Sequence, residues 1–523
     1  GCMMMPISFR EVIQKAVATP HTVAAELGLM TLESVFAPIL ACQFDQFCLD
    51  SRKIGTDDGF VLLKSSRQDA QTNLNNANRY LMSVKDSAAF VISEFDLVGL
   101  DLDGIQIPIV SVPNIRTYLG DLIAARLQLH HAVALPKIIA VTGTNGKTTV
   151  SQLIAQLCQA SGISSAVMGT AGNGRLGQLI QSANTTGDVL LTHTFIHQMA
   201  QEGVQMIALE ASSHGLDQYR LQGVPIIGAI YTNLSRDHLD YHADMASYRD
   251  AKAKLFDQSL FPTLRFGVVN LDDEPALFDY ETADFQIIGY SQQKPNADFY
   301  AKAVRLSLDC VEIEVQTPQG EMTAISPLLG LFNVDNLLAS MAAFTALNPA
   351  RAADLPNLIT QLQGARGRMQ RASSQTGAFI IDYAHTPDAL KQVLSSLRRH
   401  CTGRLIAVFG CGGDRDRGKR PQMTQAGLAY ADQVILTADN PRSESPSAIL
   451  ADMQKGLSCE DHYKIIIEPD RKNAIELAVK TAGKTDIVVI AGKGHETYQE
   501  IQGVRYDFDD LAVLGEFLQK YQK

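Results

Sequence analysis

The chain has 523 residues, of which 46% are hydrophobic and 19% are charged. This composition excludes a disordered polypeptide and is typical of a globular protein with two to four domains. A formal net charge of −11 argues against a nucleic acid partner, because the phosphates of nucleic acids repel an acidic surface.

Cysteine usage and apolar segments indicate where the protein works. The eight cysteines contain no C-x-x-C pair, and scattered cysteines are typical of reduced thiols in the cytosol. The first residues lack the basic and apolar regions of a signal peptide. No uninterrupted apolar stretch reaches the ~18 residues that span a bilayer. We therefore expect a cytoplasmic monomer that does not insert into a membrane.

The N-terminal 112 residues are expected to form a first domain. Residues 105–112 predict its last strand, and Pro113 with Asn114 marks the junction to the next domain. This first region carries little that is typical of a nucleotide site.

A glycine loop near residue 143 is the most informative segment of the chain. An apolar run over residues 137–142 predicts a buried strand, and apolar residues at helical spacing over 150–158 predict a helix packed on a sheet. The loop between them consists of Gly143, Thr144, Asn145, Gly146, Lys147, Thr148 and Thr149. In such a cradle, backbone N–H groups and the helix N-terminus face phosphate, the lysine reaches the β- and γ-phosphates, and a hydroxyl ligates Mg²⁺. The alternative is an ordinary strand-to-helix turn with an exposed lysine.

Further strands are predicted in two regions that meet near residue 364. They cover residues 204–209, 226–231 and 266–269 in the middle region, and 379–381, 405–409, 434–436 and 487–490 in the last one. Each strand ends in a polar residue or a glycine, and helical patterns separate the strands. This alternation predicts an α/β fold with parallel sheets that bind ligands at the carboxyl ends of their strands. We predict three domains, over residues 1–112, 113–364 and 365–523.

Two polar residues after predicted strands of the middle domain are candidates for a metal site. Glu210 follows the strand over residues 204–209, and His238 lies in the polar loop after the strand over 226–231. A carboxylate and a histidine suit a divalent cation that is bound to a nucleotide. Each residue alone is more often a structural hydrogen-bonding group, whereas the two together behind a phosphate loop favour the metal site.

A lysine inside an apolar helix face is a further candidate. Residues 243–256 have helical spacing, which places Lys252 on the apolar face and directs Lys254 elsewhere. The other members of that face are Met245, Tyr248, Leu255 and Phe256. Burial lowers the pKa of an ammonium, and the resulting amine adds CO₂ to give a carbamate, an oxygen ligand for a second Mg²⁺. The residues alone leave open an equally good alternative, a lysine that snorkels to solvent.

Four loops of the last domain combine glycine with charged residues at predicted strand ends. They cover residues 382–387, 410–420, 439–442 and 492–496. One such loop alone is often only solvated surface. Four in a single doubly wound domain predict one wall of an active site, opposite the phosphate loop.

Taken together, these motifs resemble those of the Mur ligases, ATP-dependent amide-forming enzymes of peptidoglycan synthesis. The resemblance runs from about Leu49 to Glu496 and is densest from residue 137 onward. Within the family, the chain is similar to members that add the third residue to UDP-N-acetylmuramoyl-L-alanyl-D-glutamate. The resemblance implies the three-domain Mur ligase architecture: a UDP-muramoyl substrate-binding domain, a central P-loop-type ATPase domain with a parallel sheet, and a C-terminal Rossmann-like domain that binds the amino acid.

The resemblance also implies roles for individual positions. It implies that ATP is bound by Gly143, Thr144, Asn145, Gly146, Lys147, Thr148, Thr149, Asn333, Arg368 and Asp382. It implies Mg²⁺ ligands at Thr148, Glu210, His238 and carbamylated Lys252, and catalytic roles for Lys147, Lys252 and His238. For the muramoyl dipeptide it implies contacts from Asn184, Thr185, Thr186, Ser212, Gln218 and Arg220, and for uridine diphosphate contacts from Leu49 and Ser51.

The third amino acid is implied to bind in the last domain. Its contacts are Arg415, Asp439, Asn440, Pro441, Arg442, Gly492 and Glu496. The Asp-Asn-Pro-Arg form of this motif resembles that of enzymes specific for meso-diaminopimelate. A guanidinium binds the distal carboxylate of diaminopimelate through two hydrogen bonds, whereas it repels the ammonium of L-lysine. Glu496 suits an ammonium group of the substrate.

The implied reaction is ligation through an acyl phosphate, with ATP and Mg²⁺ as cofactors and the muramoyl nucleotide and diaminopimelate as substrates. Alternatives of the same class are an L-lysine-adding enzyme, a D-glutamate- or dipeptide-adding Mur ligase, and a folylpolyglutamate synthase. A P-loop binding module or motor ATPase is an alternative of a different class. It would release ADP without an acceptor and an amine.

Overall fold

A computed structural model describes residues 5–181, 187–233, 241–273 and 284–523, without the side chains of residues 241–245 and 248. The chain divides into two compact units: Gly1–Val269 with Asp273–Ile288, and Asn270–Asp272 with Gly289–Lys523. The predicted α/β class with parallel sheets is confirmed, whereas the three domain boundaries stay a prediction. Within the described ranges, none of the helices combines the length and the apolar content that a bilayer-spanning segment needs.

The N-terminal part of the first unit contains a small parallel sheet. Its elements are β1 (Ile7–Ser8), α1 (Phe9–Ala18), α2 (Val23–Leu27), α3 (Leu29–Val35), β2 (Gln43–Phe44), β3 (Phe47–Cys48), β4 (Gly59–Leu62), α4 (Ala70–Val84), β5 (Phe90–Ser93), β6 (Ile109–Ser111) and α5 (Leu119–His130). Strands β3, β4, β5 and β6 pair in parallel in that order. The predicted strand over residues 105–112 is shortened to β6, because Pro108 lacks the N–H group that a ladder requires.

The second sheet of the first unit carries the glycine loop. Its elements are β7 (Lys137–Thr142), α6 (Lys147–Ala160), β8 (Ser165–Gly169), β9 (Gly172–Arg175), α7 (Val189–Gln201), β10 (Met206–Glu210), α8 (Ser213–Asp217), β11 (Ile226–Tyr231), α9 (Tyr241–Leu255) and β12 (Phe266–Asn270). Strands β12, β11, β7, β10 and β8 are parallel neighbours, and β9 closes the edge in antiparallel pairing. All parallel strands therefore end at one edge, where the glycine loop and Glu210 also lie.

The remaining elements are numbered from residue 286 to the C-terminal end. They are β13 (Gln286–Ser291), β14 (Phe299–Leu306), β15 (Val311–Thr317), β16 (Gly320–Ser326), α10 (Phe332–Leu347), α11 (Leu355–Ile359), β17 (Gln370–Arg371), β18 (Ala378–Asp382), α12 (Pro387–Arg398), β19 (Leu405–Phe409), α13 (Lys419–Tyr430), β20 (Gln433–Leu436), α14 (Pro446–Met453), α15 (Cys459–Tyr463), β21 (Ile465–Ile467), α16 (Arg471–Thr481), β22 (Ile487–Ala491), β23 (Tyr498–Ile501), β24 (Val504–Asp507) and α17 (Asp510–Lys520).

A six-stranded sheet organises the C-terminal part of the second unit. Its strand order is β17-β18-β22-β19-β20-β21, and all pairs except β17 with β18 are parallel. One face packs on α12, α13 and α14, and the other packs on α16 and α17. This is the doubly wound arrangement that the alternating strands and helices predict.

Candidate active site

The glycine loop is held against the end of the neighbouring strand β11. The N–H of Thr144 donates to the carbonyl of Asn233 at 2.8 Å, and the N–H of Asn145 donates to Oδ1 of the same residue at 3.2 Å. The hydroxyl of Thr232 donates to the carbonyl of Asn145 at 2.6 Å. Gly143 has a φ of 135°, and a Cβ atom there would lie 2.0 Å from Oγ1 of Thr232. The loop therefore requires glycine at this position.

Helix α6 begins directly after the loop, as the sequence predicts. Gly146 precedes it with a φ of 86°, and Lys147 is its first residue. The free N–H groups and the dipole of a helix N-terminus attract an anion. Burial lowers the pKa of the Lys147 ammonium, and the nearby carboxylate of Glu210 partly opposes that shift. The arrangement fits a cradle for phosphate.

Thr148 and Glu210 are brought together at the strand edge. The hydroxyl of Thr148 donates to Oε1 of Glu210 at 2.9 Å, and the N–H of Thr170 donates to Oε2 of Glu210 at 2.9 Å. Burial raises the pKa of Glu210, while these hydrogen bonds and the charge of Lys147 lower it. A Cβ atom at Gly169 would lie 1.6 Å from Oε2 of Glu210, so the end of β8 leaves room for this carboxylate only because it is glycine.

The residues at this edge fit the predicted Mg²⁺ ion by their chemistry. Thr148 offers a hydroxyl oxygen and Glu210 a carboxylate oxygen, and Mg²⁺ prefers oxygen ligands. His238, the other ligand that the resemblance implies, lies outside the described residues. Its role as a ligand and catalytic residue stays a prediction.

Lys252 is buried in α9, with 5% of its surface exposed. Its Nζ atom lies 4.2 Å from the centroid of the Tyr231 ring, and the hydroxyl of Tyr231 donates to Oδ2 of Asp273 at 2.5 Å. Burial lowers the pKa of Lys252 to about 8, although the charge of Asp273 opposes the shift. Lys254 is more than a third exposed and forms an ion pair with Asp217. Of the two alternatives that the residues leave open, the buried Lys252 agrees with the structure, and Lys254 points elsewhere, as its spacing predicts.

A pocket of about 630 Å³ lies in the first unit, and we call it the acceptor pocket. Of the predicted substrate contacts, Leu49, Gln218 and Arg220 line it. Arg220 also lines a neighbouring cavity together with Ser212 and Glu210. The structure thus brings these predicted residues together. Ser51 begins a short 3-10 helix and is not among the described residues that line the pocket. Asn184, Thr185 and Thr186 lie outside the described residues.

Two cations of the acceptor pocket, Lys64 and Arg116, were missed by sequence reasoning. Arg67 also lines the pocket. Arg116 pairs with Glu94, with 2.9 Å between Nε and Oε2, and its NH1 donates to Oε1 of Gln218 at 3.2 Å. Its NH2 donates to the carbonyl of Lys64 at 2.6 Å. The only signal in the sequence is isolated positive charge in an acidic chain, which does not single these residues out.

In the second unit, the structure places two of the three further nucleotide contacts side by side. Asp382, at the end of β18, accepts N–H bonds from Met369 at 2.8 Å and Ala384 at 2.7 Å. Burial raises its pKa, while these bonds and the charge of Arg368 lower it. The guanidinium of Arg368 lies 5.2 Å from the centroid of the Tyr383 ring.

Asn333, the third of these contacts, lies in the first turn of α10. Its Nδ2 donates to the carbonyl of Leu329 at 2.8 Å, and its Oδ1 accepts from Nδ2 of Asn336 at 3.0 Å. The side chain is 6% exposed. These bonds fix the amide between the segment before α10 and the first turn of that helix, and its part in nucleotide binding stays a prediction.

The predicted amino-acid contacts gather at the carboxyl edge of the six-stranded sheet. The loop over residues 439–443, which we call the clamp loop, follows β20, and Gly492 follows β22. A Cβ atom at Gly492 would lie 2.8 Å from Oδ2 of Asp439. The backbone N–H of Gly413 donates to the carbonyl of Asn440 at 2.8 Å. Two of the four charged loops are therefore packed backbone to backbone.

Arg442, Arg415 and Glu496 bring the charges of this site. NH1 of Arg442 donates to the carbonyl of Gly413 at 2.9 Å. NH1 of Arg415 donates to the carbonyl of Asp414 at 3.0 Å, and this residue is exposed. Burial raises the pKa of Glu496, an effect that the charge of Lys493 opposes. Cations for a carboxylate and an anion for an ammonium thus lie at one sheet edge.

Lys493 is a further residue that sequence reasoning did not assign. Its ammonium is fully buried and lies 3.2 Å from Oδ1 of Asp439. It donates to Oδ1 of Asn440 at 2.8 Å and to the carbonyl of Tyr498 at 2.9 Å. Burial lowers its pKa, and Asp439 opposes that shift. Lys493 therefore ties the clamp loop to the segment that follows β22.

Comparison with known proteins identifies relatives over nearly the whole chain. The Mur ligase middle domain matches residues 141–344, and the Mur ligase, glutamate ligase domain matches residues 367–494. A UDP-N-acetylmuramoyl-L-alanyl-D-glutamate--2,6-diaminopimelate ligase of Pseudomonas aeruginosa is 41% identical over 89% of this chain and 93% of its own length. The enzyme of that name from Xanthomonas oryzae is 46% identical over 80% of this chain and 84% of its own length.

Solved structures agree with these matches. A structure of a UDP-N-acetylmuramoyl-L-alanyl-D-glutamate--2,6-diaminopimelate ligase has a TM-score of 0.80 at 40% identity, and covers 99% of this chain and 100% of its own. A folylpolyglutamate synthase of Mycobacterium tuberculosis, complexed with ADP and AMPPCP, has a TM-score of 0.52 at 17% identity, over 71% of this chain and 91% of its own. The second likeness concerns the fold alone.

Proposed function

The chain belongs to the Mur ligase family, and we propose that it joins meso-diaminopimelate to the D-glutamyl carboxylate of UDP-N-acetylmuramoyl-L-alanyl-D-glutamate. The reaction converts ATP to ADP and phosphate, and it is a cytoplasmic step of peptidoglycan synthesis. The observation that carries the proposal is the anchored Arg442 in an Asp-Asn-Pro-Arg loop, in a chain 41% identical to a diaminopimelate ligase over 89% of its length.

The reaction proceeds through an acyl phosphate. A carboxylate oxygen of D-glutamate bonds to the γ-phosphorus of ATP while the bond from that phosphorus to the β–γ bridging oxygen breaks, which releases ADP. The amine of diaminopimelate then attacks the acyl carbon, loses a proton and displaces phosphate. Phosphoryl transfer of this kind depends on positioning and electrostatic stabilisation more than on covalent help from the protein.

The central phosphate loop supplies that stabilisation. The N–H groups at the start of α6 and the ammonium of Lys147 would bind the negatively charged phosphates of ATP. The hydroxyl of Thr148 and the carboxylate of Glu210, 2.9 Å apart, are the oxygen ligands that Mg²⁺ takes in such sites. When bound, Mg²⁺ neutralises negative charge on the phosphates.

Lys252 is proposed to carry a carbamate. Its burial and its lowered pKa support a neutral amine, and the addition of CO₂ to that amine turns it into a negatively charged oxygen ligand. A lysine that snorkels to solvent would be largely exposed at its head group, which does not agree with 5% exposure.

The acceptor pocket is proposed to bind the muramoyl nucleotide. Lys64, Arg67, Arg116 and Arg220 line it, and a diphosphate is the part of the acceptor that such cations attract. Gln218 accepts from Arg116 through Oε1, and its Nε2 group would supply hydrogen-bond donors for the ligand. Leu49 gives the pocket an apolar wall. Residues 1–112 would then form most of this nucleotide-binding domain.

The remaining two domains are proposed to bind one of the other two substrates each. We assign residues 113–364 to the ATP-binding domain and residues 365–523 to the amino-acid-binding domain. In the latter, Arg442 selects diaminopimelate because its guanidinium matches a second carboxylate. L-Lysine presents an ammonium at that point, and the like charge disfavours it.

The test is a coupled assay of ADP release with purified protein. With UDP-muramoyl-dipeptide as acceptor, we expect release with diaminopimelate to exceed that with L-lysine on the order of a hundredfold, because lysine offers Arg442 an ammonium where diaminopimelate offers a carboxylate. Omission of the acceptor or of the amine stops release. The matched control is Lys147→Ala, which removes the phosphate-loop cation and abolishes release.

Three results would count against this function. Equal use of lysine indicates the L-lysine-adding enzyme. ADP release without an acceptor and an amine indicates a motor or binding ATPase. Release with a folate in place of the muramoyl acceptor indicates a folylpolyglutamate synthase.

A further inference from the structure

A short hairpin, formed by β23 and β24, packs against the clamp loop. We propose that this hairpin is the positioning element of the diaminopimelate site, and that Glu500 is the residue that orients the guanidinium of Arg442. The inference rests on the proposed function, because it concerns how the third amino acid is selected. Glu500 acts through Arg442, so it is a positioning residue and not a catalytic one.

The backbone of Arg442 is hydrogen-bonded to β23 and extends the hairpin by one paired residue. Its N–H donates to the carbonyl of Glu500 at 2.9 Å, and its carbonyl accepts from the N–H of Gln502 at 2.7 Å. The resulting bridge pairs Arg442 with Ile501 in parallel. Arg442 has a φ of 52°, a left-handed conformation that residues with a side chain adopt rarely. The two hydrogen bonds hold Arg442 in this conformation.

Side chains extend the contact along the clamp loop. Nε2 of Gln499 donates to the carbonyl of Asp439 at 2.8 Å, and the N–H of Glu500 donates to Oδ1 of Asn440 at 2.9 Å. Lys493 binds that same oxygen of Asn440 and the carbonyl of the first hairpin residue. The hairpin therefore holds three of the four residues of the Asp-Asn-Pro-Arg motif in place through hydrogen bonds.

The guanidinium of Arg442 is fixed at two points. NH1 donates to the carbonyl of Gly413 at 2.9 Å, and Nε lies 3.5 Å from Oε2 of Glu500. Two contacts on a planar group set its orientation. A guanidinium has five N–H donors, so these two contacts leave donors on NH1 and NH2 for hydrogen bonds to a carboxylate.

Exposure determines what Glu500 contributes. The side chains of Arg442 and Glu500 are 21% and 29% exposed, and a partly solvated pair gains little net energy. The contact therefore acts through geometry. It keeps the guanidinium in one orientation while the site is empty, so that the side chain loses less conformational entropy when the distal carboxylate binds. Its loss should weaken diaminopimelate binding and leave the ATP site unaffected.

The test compares steady-state constants of Glu500→Ala and Glu500→Gln with those of wild type. For Glu500→Ala we expect KM for diaminopimelate to rise about fivefold, as for the loss of one partly exposed ion pair, with kcat and KM for ATP within about twofold of wild type. Glu500→Gln keeps the size and polarity of the side chain but removes its charge, so it gives an intermediate KM. Glu460→Ala, an exposed glutamate in α15, is the matched control and keeps all wild-type constants.

A double-mutant cycle with Arg442→Ala keeps the inference falsifiable even if Glu500→Ala lowers stability. When Arg442 is already absent, loss of Glu500 should not raise KM further, because its effect passes through that residue. An additive rise, an unchanged KM in Glu500→Ala, or an equal rise of KM for ATP overturns the inference. These results all assume that wild type uses diaminopimelate. Failure of wild type itself to do so overturns the proposed function instead.

Discussion

At the scale of single residues, Lys252 combines two properties that a carbamate requires. It lies in a buried position of α9, and burial lowers its pKa from 10.5 to about 8. A lowered folded-state pKa favours the neutral amine, so the neutral fraction grows as pH rises through 8. At pH 7 about one side chain in ten is neutral, against about one in 3,000 for an ordinary lysine. The amine is thus ready to react near neutral pH.

This property predicts a carbamate that can be observed directly. With ¹³C-labelled bicarbonate, wild type should give a carbamate signal in NMR that weakens as pH falls from 8.5 to 6.5, because protonation removes the amine. Lys252→Ala should lose the signal and the ligase activity, and short carboxylates that imitate the carbamate should restore part of the activity. Lys254→Ala, on the solvent side of the same helix, is the matched control.

Two findings would leave only a structural lysine at this position. One is a signal that persists in Lys252→Ala and disappears in Lys254→Ala. The other is full activity of Lys252→Ala without any added carboxylate.

At the scale of elements, the ends of β7, β8 and β10 lie together at the edge where we propose that phosphate and Mg²⁺ bind. β10 delivers Glu210, and β8 ends at Gly169, where a Cβ atom would lie 1.6 Å from the carboxylate. Gly169 is not one of the glycines with a positive φ. Its backbone could therefore accept a side chain, and only the contact with Glu210 disfavours one. Because Glu210 is a flexible side chain, an added methyl group would displace the carboxylate and not the strand.

Gly169→Ala should therefore separate activity from stability. Displacement of Glu210 breaks its contact with Thr148, and we expect ADP release to fall on the order of a hundredfold, as for loss of one stabilising group in a transition state. The thermal midpoint should stay within a few degrees of wild type. The control is Gly515→Ala in α17, where a Cβ atom meets nothing within 4 Å. Unchanged ADP release in Gly169→Ala would mean that the contact between Thr148 and Glu210 is not needed.

Elements with a buried apolar run could be predicted from the sequence. β11 and β19 have the predicted bounds, residues 226–231 and 405–409, because continuous apolar residues mark strands covered on both faces. β23 and β24 were not predicted, since their residues are half-buried or exposed and show no periodic signal. β15 also received no prediction, although its alternating buried and half-buried residues are typical of a strand with one covered face.

Some site residues could be predicted from the sequence and others could not. Thr148 and Glu210 could be placed together because parallel strands end at one edge of a sheet. Arg116 and Lys493 could not, since each acts through partners from distant segments: Arg116 through Glu94 and Gln218, Lys493 through Asn440. Such contacts exist only after folding, and a single charged residue carries no sign of them.

At the scale of the whole molecule, a buried polar junction links the N-terminal helices α2 and α5 to α7 and to the segment that precedes β11. Gln222 is its centre: its carbonyl lies 2.8 Å from Nε2 of His193 in α7, and its Oε1 accepts from the N–H of Asp121 in α5. Asp121 in turn accepts from the N–H of Ala24 in α2 at 3.1 Å. His197 lies one turn after His193, and neither of its ring nitrogens has a hydrogen-bond partner among the described residues.

Acid should weaken this junction. Burial lowers the pKa of His193 and of His197 from 6.5 to about 4, so between pH 6.5 and 4 the unfolded chain binds more protons than the folded one. Stability therefore falls as pH decreases through that window, by up to about 3 kcal/mol for each histidine. Burial raises the pKa of Asp121, which acts in the opposite direction because the folded state takes up that proton first.

His197→Phe is expected to flatten this dependence, because it removes one titrating group and two unpaired nitrogens from an apolar helix face. Measured as the thermal midpoint from pH 7.5 to 5, wild type should lose several degrees more than the variant. His462→Gln, which changes an exposed histidine of α15, should follow wild type throughout. Parallel curves for wild type and His197→Phe would place the acid sensitivity elsewhere. Gln222 would then hold the junction together whether or not His197 is protonated.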